Sequence, residues 1–169
     1  MRTIVLYFSE TGNCKRVAEN IAHKTNSEIA QIKHYKFYGG SFKLLRSLYY
    51  TANWKKAIPA IRPRVVLKNY EHIIVITPVW ASSVAPPVYS LLMSQKELLH
   101  KVCLIVHSHN NKAESVFKRI ESRLGVLPMK FDITKHKRNH KQVIKDIVAK
   151  IQSVYNSDYI NDGDLSSVL

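Results

Sequence analysis

The sequence predicts an α/β fold of three layers, with one open, parallel, five-stranded sheet between helices. Three observations predict it. Short apolar runs alternate with longer amphipathic stretches in the order β-α-β-α-β-α-β-α-β, and such alternation builds parallel sheets through right-handed crossovers. The runs at 4–8, 72–77 and 102–107 are almost free of polar residues, the pattern of strands buried on both faces. Each of these runs opens into a polar loop, at 9–14, 78–83 and 107–112.

The first run is too short for a helix. Ser9, Thr11, Gly12 and Asn13 then bring hydroxyl, glycine and amide residues into one turn. Val17, Ala18, Ile21 and Ala22 follow at helical spacing and predict a helix over about 13–24. Strand, tight polar loop and helix start together form the layout of an anion site. Free backbone N–H groups and the positive end of the helix dipole face the loop. Ser9 and Thr11 add hydroxyls, and Gly12 lets the backbone come close. The loop lacks the lysine of a nucleoside-triphosphate loop and the three glycines of a dinucleotide fingerprint. Read alone, 9–13 also suits a well-capped turn and nothing more.

A second strand is expected at 28–33, with Ile29 and Ile32 among polar residues. Gly39 and Gly40 break the chain, and Ser41 suits an N-cap. Leu44, Leu45, Leu48, Tyr49 and Ala52 then share one face of a helix predicted over 42–57, ended by Pro59 and Pro63. The third strand, 72–77, runs into a loop that begins Pro78-Val79-Trp80-Ala81. Pro86 and Pro87 mark the start of a helix over roughly 87–99. The fourth strand, 102–107, leads to His107, Ser108, His109, Asn110 and Asn111. A helix over 112–124 ends at Gly125. A fifth strand at 128–133 and a last helix over about 139–154 complete the domain, which spans 1–155. The segment 156–169, with Asp158, Asp162, Gly163 and Asp164, is expected to be a disordered, mildly acidic tail.

With 169 residues the chain is long enough to bury a core. No apolar run approaches the ~18–20 residues of a membrane span, and, with Met1-Arg2 leading straight into a strand, no secretory signal is expected. The cysteines, Cys14 and Cys103, show no metal or redox spacing, so free thiols in a reducing cytoplasm are expected. At a helix start Cys14 is either a reactive thiol of lowered pKa or a small packing residue. His107 and His109 lack a third ligand nearby, and no metal is expected.

Charge is the unusual quantity. The formal net charge is +14 and the pI is about 9.9. Between Glu28 and Glu71 there is no acidic residue, while Lys33, Lys36, Lys43, Arg46, Lys55, Lys56, Arg62, Arg64 and Lys68 alternate with tyrosines, phenylalanines and Trp54. A second basic cluster, Lys135, Lys137, Arg138, Lys141 and Lys145, surrounds the start of the last helix, where it opposes the dipole. Such a surface implies an acidic protein, an anionic membrane surface, an anionic substrate or nucleic acid. No recognised motif supports nucleic acid. A solvated amphipathic helix explains 42–57 equally well.

Ser9-Glu10-Thr11-Gly12-Asn13 resembles the phosphate loop of the flavodoxin family, Ser/Thr-x-Thr-Gly-Asn-Thr/Ser, placed as in that family directly after the first strand. Cys14 stands where the family has a hydroxyl residue, which removes one phosphate contact. Thr-Pro-Val-Trp-Ala at 77–81 with Ala-Pro-Pro-Val at 85–88 resembles the second flavin loop, where the residue at the Trp80 position flanks the isoalloxazine ring. The third loop, which begins at Ser108, has His109, Asn110 and Asn111 in place of the family's glycines. The resemblance covers about residues 3–150, loosely over 34–64. It implies the strand order 2-1-3-4-5, in which the three loops meet at one rim. It further implies FMN as cofactor, held by Ser9, Glu10, Thr11, Gly12, Asn13, Cys14, Pro78, Val79, Trp80, Ala81, Ser108, His109, Asn110 and Asn111.

The resemblance implies electron transfer or flavin-dependent oxidoreduction with a redox partner protein or a small-molecule acceptor. It leaves open a carrier and an enzyme of the quinone or protoporphyrinogen dehydrogenase kind, cytoplasmic or peripheral at the membrane. Family carriers are usually acidic, and this chain is the reverse. One unit charge ~10 Å from the ring is worth roughly 0.4 kcal/mol in water-like surroundings. That is on the order of 20 mV for one electron. Several such charges make the expected flavin less reducing. A second reading stands beside this one: a binding module of the same fold that docks an acidic protein or membrane and holds flavin weakly or not at all.

Overall fold

The structure is a computed structural model, and it describes residues 2–34, 59–108, 113–125, 127–133 and 140–164. The strands are β1 (Thr3–Tyr7), β2 (Glu28–His34), β3 (Pro59–Arg62), β4 (His72–Trp80), β5 (Ser83–Val84), β6 (Val102–His107) and β7 (Met129–Asp132). The helices are α1 (Asn13–Thr25), α2 (Pro86–Ser94), α3 (Ala113–Leu124) and α4 (His140–Asp164), with 3-10 turns at Leu67–Asn69 and Lys96–Lys101.

The main sheet has the order β3-β2-β1-β4-β6-β7. Within it β2-β1-β4-β6-β7 are all parallel, which is the expected order 2-1-3-4-5. The pleat explains the core. Ile4, Leu6, Ile73, Val75, Leu104 and Val106 face one side, where α2 contributes Val88 and Leu91 and α3 contributes Val116 and Ile120. Val5, Tyr7, Ile74, Ile76, Cys103 and Ile105 face the other, against Val17 and Ile21 of α1 and Ile144, Ile147 and Ile151 of α4. From Ile4 to Tyr7, Ile73 to Ile76 and Val102 to Val106 the central strands thus carry an apolar residue at every position, and burying each large one contributes about 1.5–3 kcal/mol. Three layers follow from that pattern.

The amino-terminal end of the sheet closes on itself. The Arg2 guanidinium donates to Glu28 Oε1 at 3.0 Å and lies 4.9 Å from the centre of the Tyr70 ring. The Tyr70 hydroxyl donates to Glu28 Oε2 at 2.7 Å. The N–H of Glu71 bonds to the Arg2 carbonyl at 2.9 Å, and Lys101 Nζ reaches the Tyr70 carbonyl at 3.3 Å. Two partners therefore hold the Glu28 carboxyl below the usual carboxylate range, Tyr70 first and Arg2 second.

The structure departs from the sequence expectations at four places. The five-stranded sheet gains β3, antiparallel on the edge of β2 with Ile32 opposite Ile61. Pro59 stands at the first position of an edge strand, where the missing N–H breaks no ladder. The third strand does not stop at Thr77 but continues to Trp80, and β5 folds back on it. Helix α2 ends at Ser94 rather than near 99, because Gln95 leaves helical geometry at φ −121° and the chain tightens into a 3-10 turn. The last helix runs to Asp164, so 156–164 is helical and not a disordered tail. No proline interrupts it, and its polar residues weaken a helix without stopping one. The predicted helix 42–57, most of the basic aromatic stretch, the cluster 135–138, residues 109–111 and residues 165–169 lie outside the described residues. Among the described residues no helix is long and apolar enough to cross a membrane.

Candidate functional site

β1, β4 and β6 are neighbours, and their carboxyl ends meet. Tyr7 pairs with Ile76, and Pro78 pairs with His107. Phe8 continues past the strand with its N–H on the Ile76 carbonyl at 3.0 Å. The turn at 9–12, the tip of β4 and the start of the third loop at Ser108 therefore share one rim. This is the crevice where parallel sheets bind ligands.

The first turn places its groups without satisfying them. Glu10, Thr11 and Gly12 are exposed, and Asn13 is half-buried. Gly12 is the N-cap of α1 at φ 85°, a left-handed conformation that costs an L-residue about 1–2 kcal/mol. No side chain caps the helix, and its first turn holds no acidic residue but does hold Lys15 and Arg16. The Arg16 N–H closes the first helical turn on the Gly12 carbonyl at 3.0 Å, so the N–H groups before it have no helical acceptor. Ser9 Oγ is buried and meets no hydrogen-bonding partner among the described residues. An orphaned hydroxyl of this kind costs about 1–3 kcal/mol.

Cys14 is buried under this turn, and burial pushes its thiol up to about 12. Burial thus acts against the reading of Cys14 as a reactive thiol of lowered pKa and favours that of a packing residue. Burial raises the Cys103 thiol as well.

The second segment is a hairpin rather than a loop. Val79 pairs with Val84 and Trp80 with Ser83, leaving Ala81 and Ser82 as a two-residue turn. Both have positive φ, 45° and 58°, the signature of a type I′ turn, which favours Asn and Gly. Two ordinary L-residues thus hold a strained backbone at the rim. Thr77 anchors the hairpin. Its fully buried Oγ1 accepts from the Ala85 N–H at 3.2 Å and donates to the Pro78 carbonyl at 3.1 Å. Trp80 is half-buried, and its ring meets Phe8 edge-on, with centroids 5.6 Å apart and planes at 84°. Ser83 is 1% exposed, and its Oγ has no partner among the described residues.

Of the expected site residues, Ser9, Glu10, Thr11, Gly12, Asn13, Cys14, Pro78, Val79, Trp80, Ala81 and Ser108 come to this rim, with Ser108 buried at the end of β6. His109, Asn110 and Asn111 lie outside the described residues. The structure adds Phe8, which braces Trp80, Thr77, which pins the hairpin, and Ser83. In the sequence Thr77 opens the 77–81 segment and Ser83 closes the 78–83 loop, while Phe8 is marked only by its position before the first turn.

No protein-family model and no curated protein sequence matches the chain. Solved structures do match. A flavoprotein from Lactobacillus acidophilus NCFM, crystallised in complex with FMN, superposes with a TM-score of 0.67 at 21% identity, over 80% of this chain and 95% of that one. The apo-form of the Lactobacillus acidophilus NCFM flavoprotein, solved by NMR, gives a TM-score of 0.61 at 21% identity, over 81% of this chain and 95% of that one. A Fusobacterium nucleatum flavodoxin bound to flavin mononucleotide gives 0.55 at 11% identity, over 90% and 98% of the two chains. At such identities the likeness shows the fold, which is flavodoxin-like.

Proposed function

We propose that this flavodoxin-like chain binds FMN at the rim of β1, β4 and β6 and serves as a redox protein. The carrying observation is Ser9, whose buried hydroxyl has no partner among the described residues, at the entry to a helix that no described side chain caps. The residues present fit the group. Ser9, Thr11 and the backbone N–H groups from Thr11 to Cys14 would hold the phosphate, with Lys15 and Arg16 adding positive charge. Trp80 would flank the ring, and Pro78, Val79, Ala81 and Ser108 would line it, with 109–111 completing the third side.

When bound, FMN supplies reversible one- and two-electron transfer. The chain's own part is to bind, orient and exclude water. Phe8 fixes the Trp80 indole from its edge, and Thr77 fixes the strand that carries it. Burial favours the protonated thiol of Cys14 beneath the turn, which suits a packing role there. The net charge of +14 favours electron-rich states nearby and partners of negative charge. An acidic redox protein, an anionic substrate or an acceptor at an anionic membrane surface suits that charge, and a potential above that of acidic carriers is expected.

The test is an absorbance spectrum of the purified protein, followed by titration with FMN. Bands near ~370 and ~450 nm with quenched flavin fluorescence, as expected of bound oxidised flavin, support the reading. A flat titration overturns it and leaves the fold as a binding module.

A further inference from the structure

We infer that the Ser83 hydroxyl is a polar contact for the flavin ring, distinct from the phosphate contacts of the first turn. The inference rests on the FMN reading above. Ser83 is 1% exposed, yet its Oγ meets no partner among the described residues. The hairpin does not need that hydroxyl. Thr77 already satisfies itself with both Ala85 and Pro78, and Ser83 joins the ladder through its backbone. Protein interiors rarely keep a buried hydroxyl unpaired without a use for it.

Its position assigns the use. Ser83 lies directly opposite Trp80 in an antiparallel pair, so the two side chains leave the ribbon on the same face. A ring flanked by Trp80 therefore has Ser83 beside it, while Ser9 stands on the separate turn that leads into α1. A hydroxyl both donates and accepts. It thus suits the pyrimidine edge of the ring, which presents carbonyl and imine acceptors together with one N–H donor. Ser83 and Ser9 then recognise opposite ends of one ligand.

The experiment compares wild type, Ser83→Ala, Ser83→Cys and Ser9→Ala. Each is titrated with FMN and with riboflavin, which has the ring without the phosphate, and the apo melting temperature is recorded. Ser83→Ala is expected to weaken both ligands equally, about tenfold, without lowering the apo melting temperature. Ser83→Cys, nearly isosteric and a poor hydrogen-bonding group, is expected to do the same and guards against misfolding of the alanine variant. Ser9→Ala is expected to weaken FMN alone. Wild-type affinity in both Ser83 variants overturns the inference and leaves the FMN reading standing. Loss of FMN but not riboflavin in Ser83→Ala also overturns it, by moving Ser83 to the phosphate. A lowered apo melting temperature in both Ser83 variants shows a protein partner for the hydroxyl and overturns it too. Wild type that binds neither flavin overturns the FMN reading itself, and Ser83 with it.

Discussion

The two ends of the sheet treat polar groups in opposite ways. At the amino-terminal end, Arg2, Glu28 and Tyr70 satisfy one another with bonds of 3.0 and 2.7 Å and a stacked cation. At the carboxyl end, Ser9 and Ser83 bury hydroxyls without partners among the described residues, and Gly12, Ala81 and Ser82 hold positive φ. The same sheet supports both, so the difference is not one of packing. An end that serves structure alone closes its hydrogen bonds. Under the FMN reading proposed above, the other end leaves them open for a ligand; positive φ does not separate the two, since Asn26 at 48° and Gly125 at 112° hold it at the amino-terminal end.

Mutations can break or sharpen this contrast. The largest effect is expected at the closed end. Tyr70→Ala removes a buried ring together with the Glu28 bond and should cost about 3 kcal/mol in denaturant unfolding. Flavin affinity of the folded fraction should not change. If affinity collapses while stability holds, the division of labour between the ends is wrong. Ser9→Ala should leave apo stability unchanged or raised while FMN affinity falls about tenfold, near 1.4 kcal/mol, measured by fluorescence titration. Ser82→Gly relieves a left-handed L-residue worth about 1–2 kcal/mol, against a glycine penalty of about 0.5–1 kcal/mol. The apo protein should therefore gain up to about 1 kcal/mol. A drop in melting temperature would mean the turn is unstrained.

The smallest effect concerns pH. Tyr70 and Arg2 depress the folded-state pKa of Glu28 below its ordinary 4.5. Its contribution to stability is thus present above 4.5 and is lost as pH falls through the lower folded value. Glu28→Gln should lower the melting temperature slightly at neutral pH and flatten the acid side of the profile, so that variant and wild type converge toward about pH 3.

Most of the fold was legible because the central strands are buried on both faces. β1, β4 and β6 appear as apolar runs, and their order followed from family likeness. The first turn was legible too, since Gly12 and the hydroxyls are local signals. What escaped depends on contacts distant in sequence or on turns without their usual residues. β3 reads Pro-Ala-Ile-Arg and looks like a helix terminator until β2 lies beside it. The hairpin after β4 turns on Ala81 and Ser82, which carry no glycine or asparagine to announce it. The end of the last helix was placed too early because Asp158, Asp162, Gly163 and Asp164 read as a polar tail, while the backbone continues in helix to Asp164. Ser83 was legible only as one serine among several, since burial without a partner is a property of three dimensions.

The pairing of β1 with β4 has a consequence for the order in which the protein forms. β4 meets β6 across only about thirty residues, Ile73 pairing with Val102, whereas Ile4 meets Ile73 about seventy residues later. Closing so long a loop is slow compared with local contacts. During synthesis, the first turn emerges early but has no second wall until β4 and its hairpin arrive. The rim is thus among the last features to assemble, and a ligand held there stabilises the finished fold by mass action rather than guiding the chain toward it.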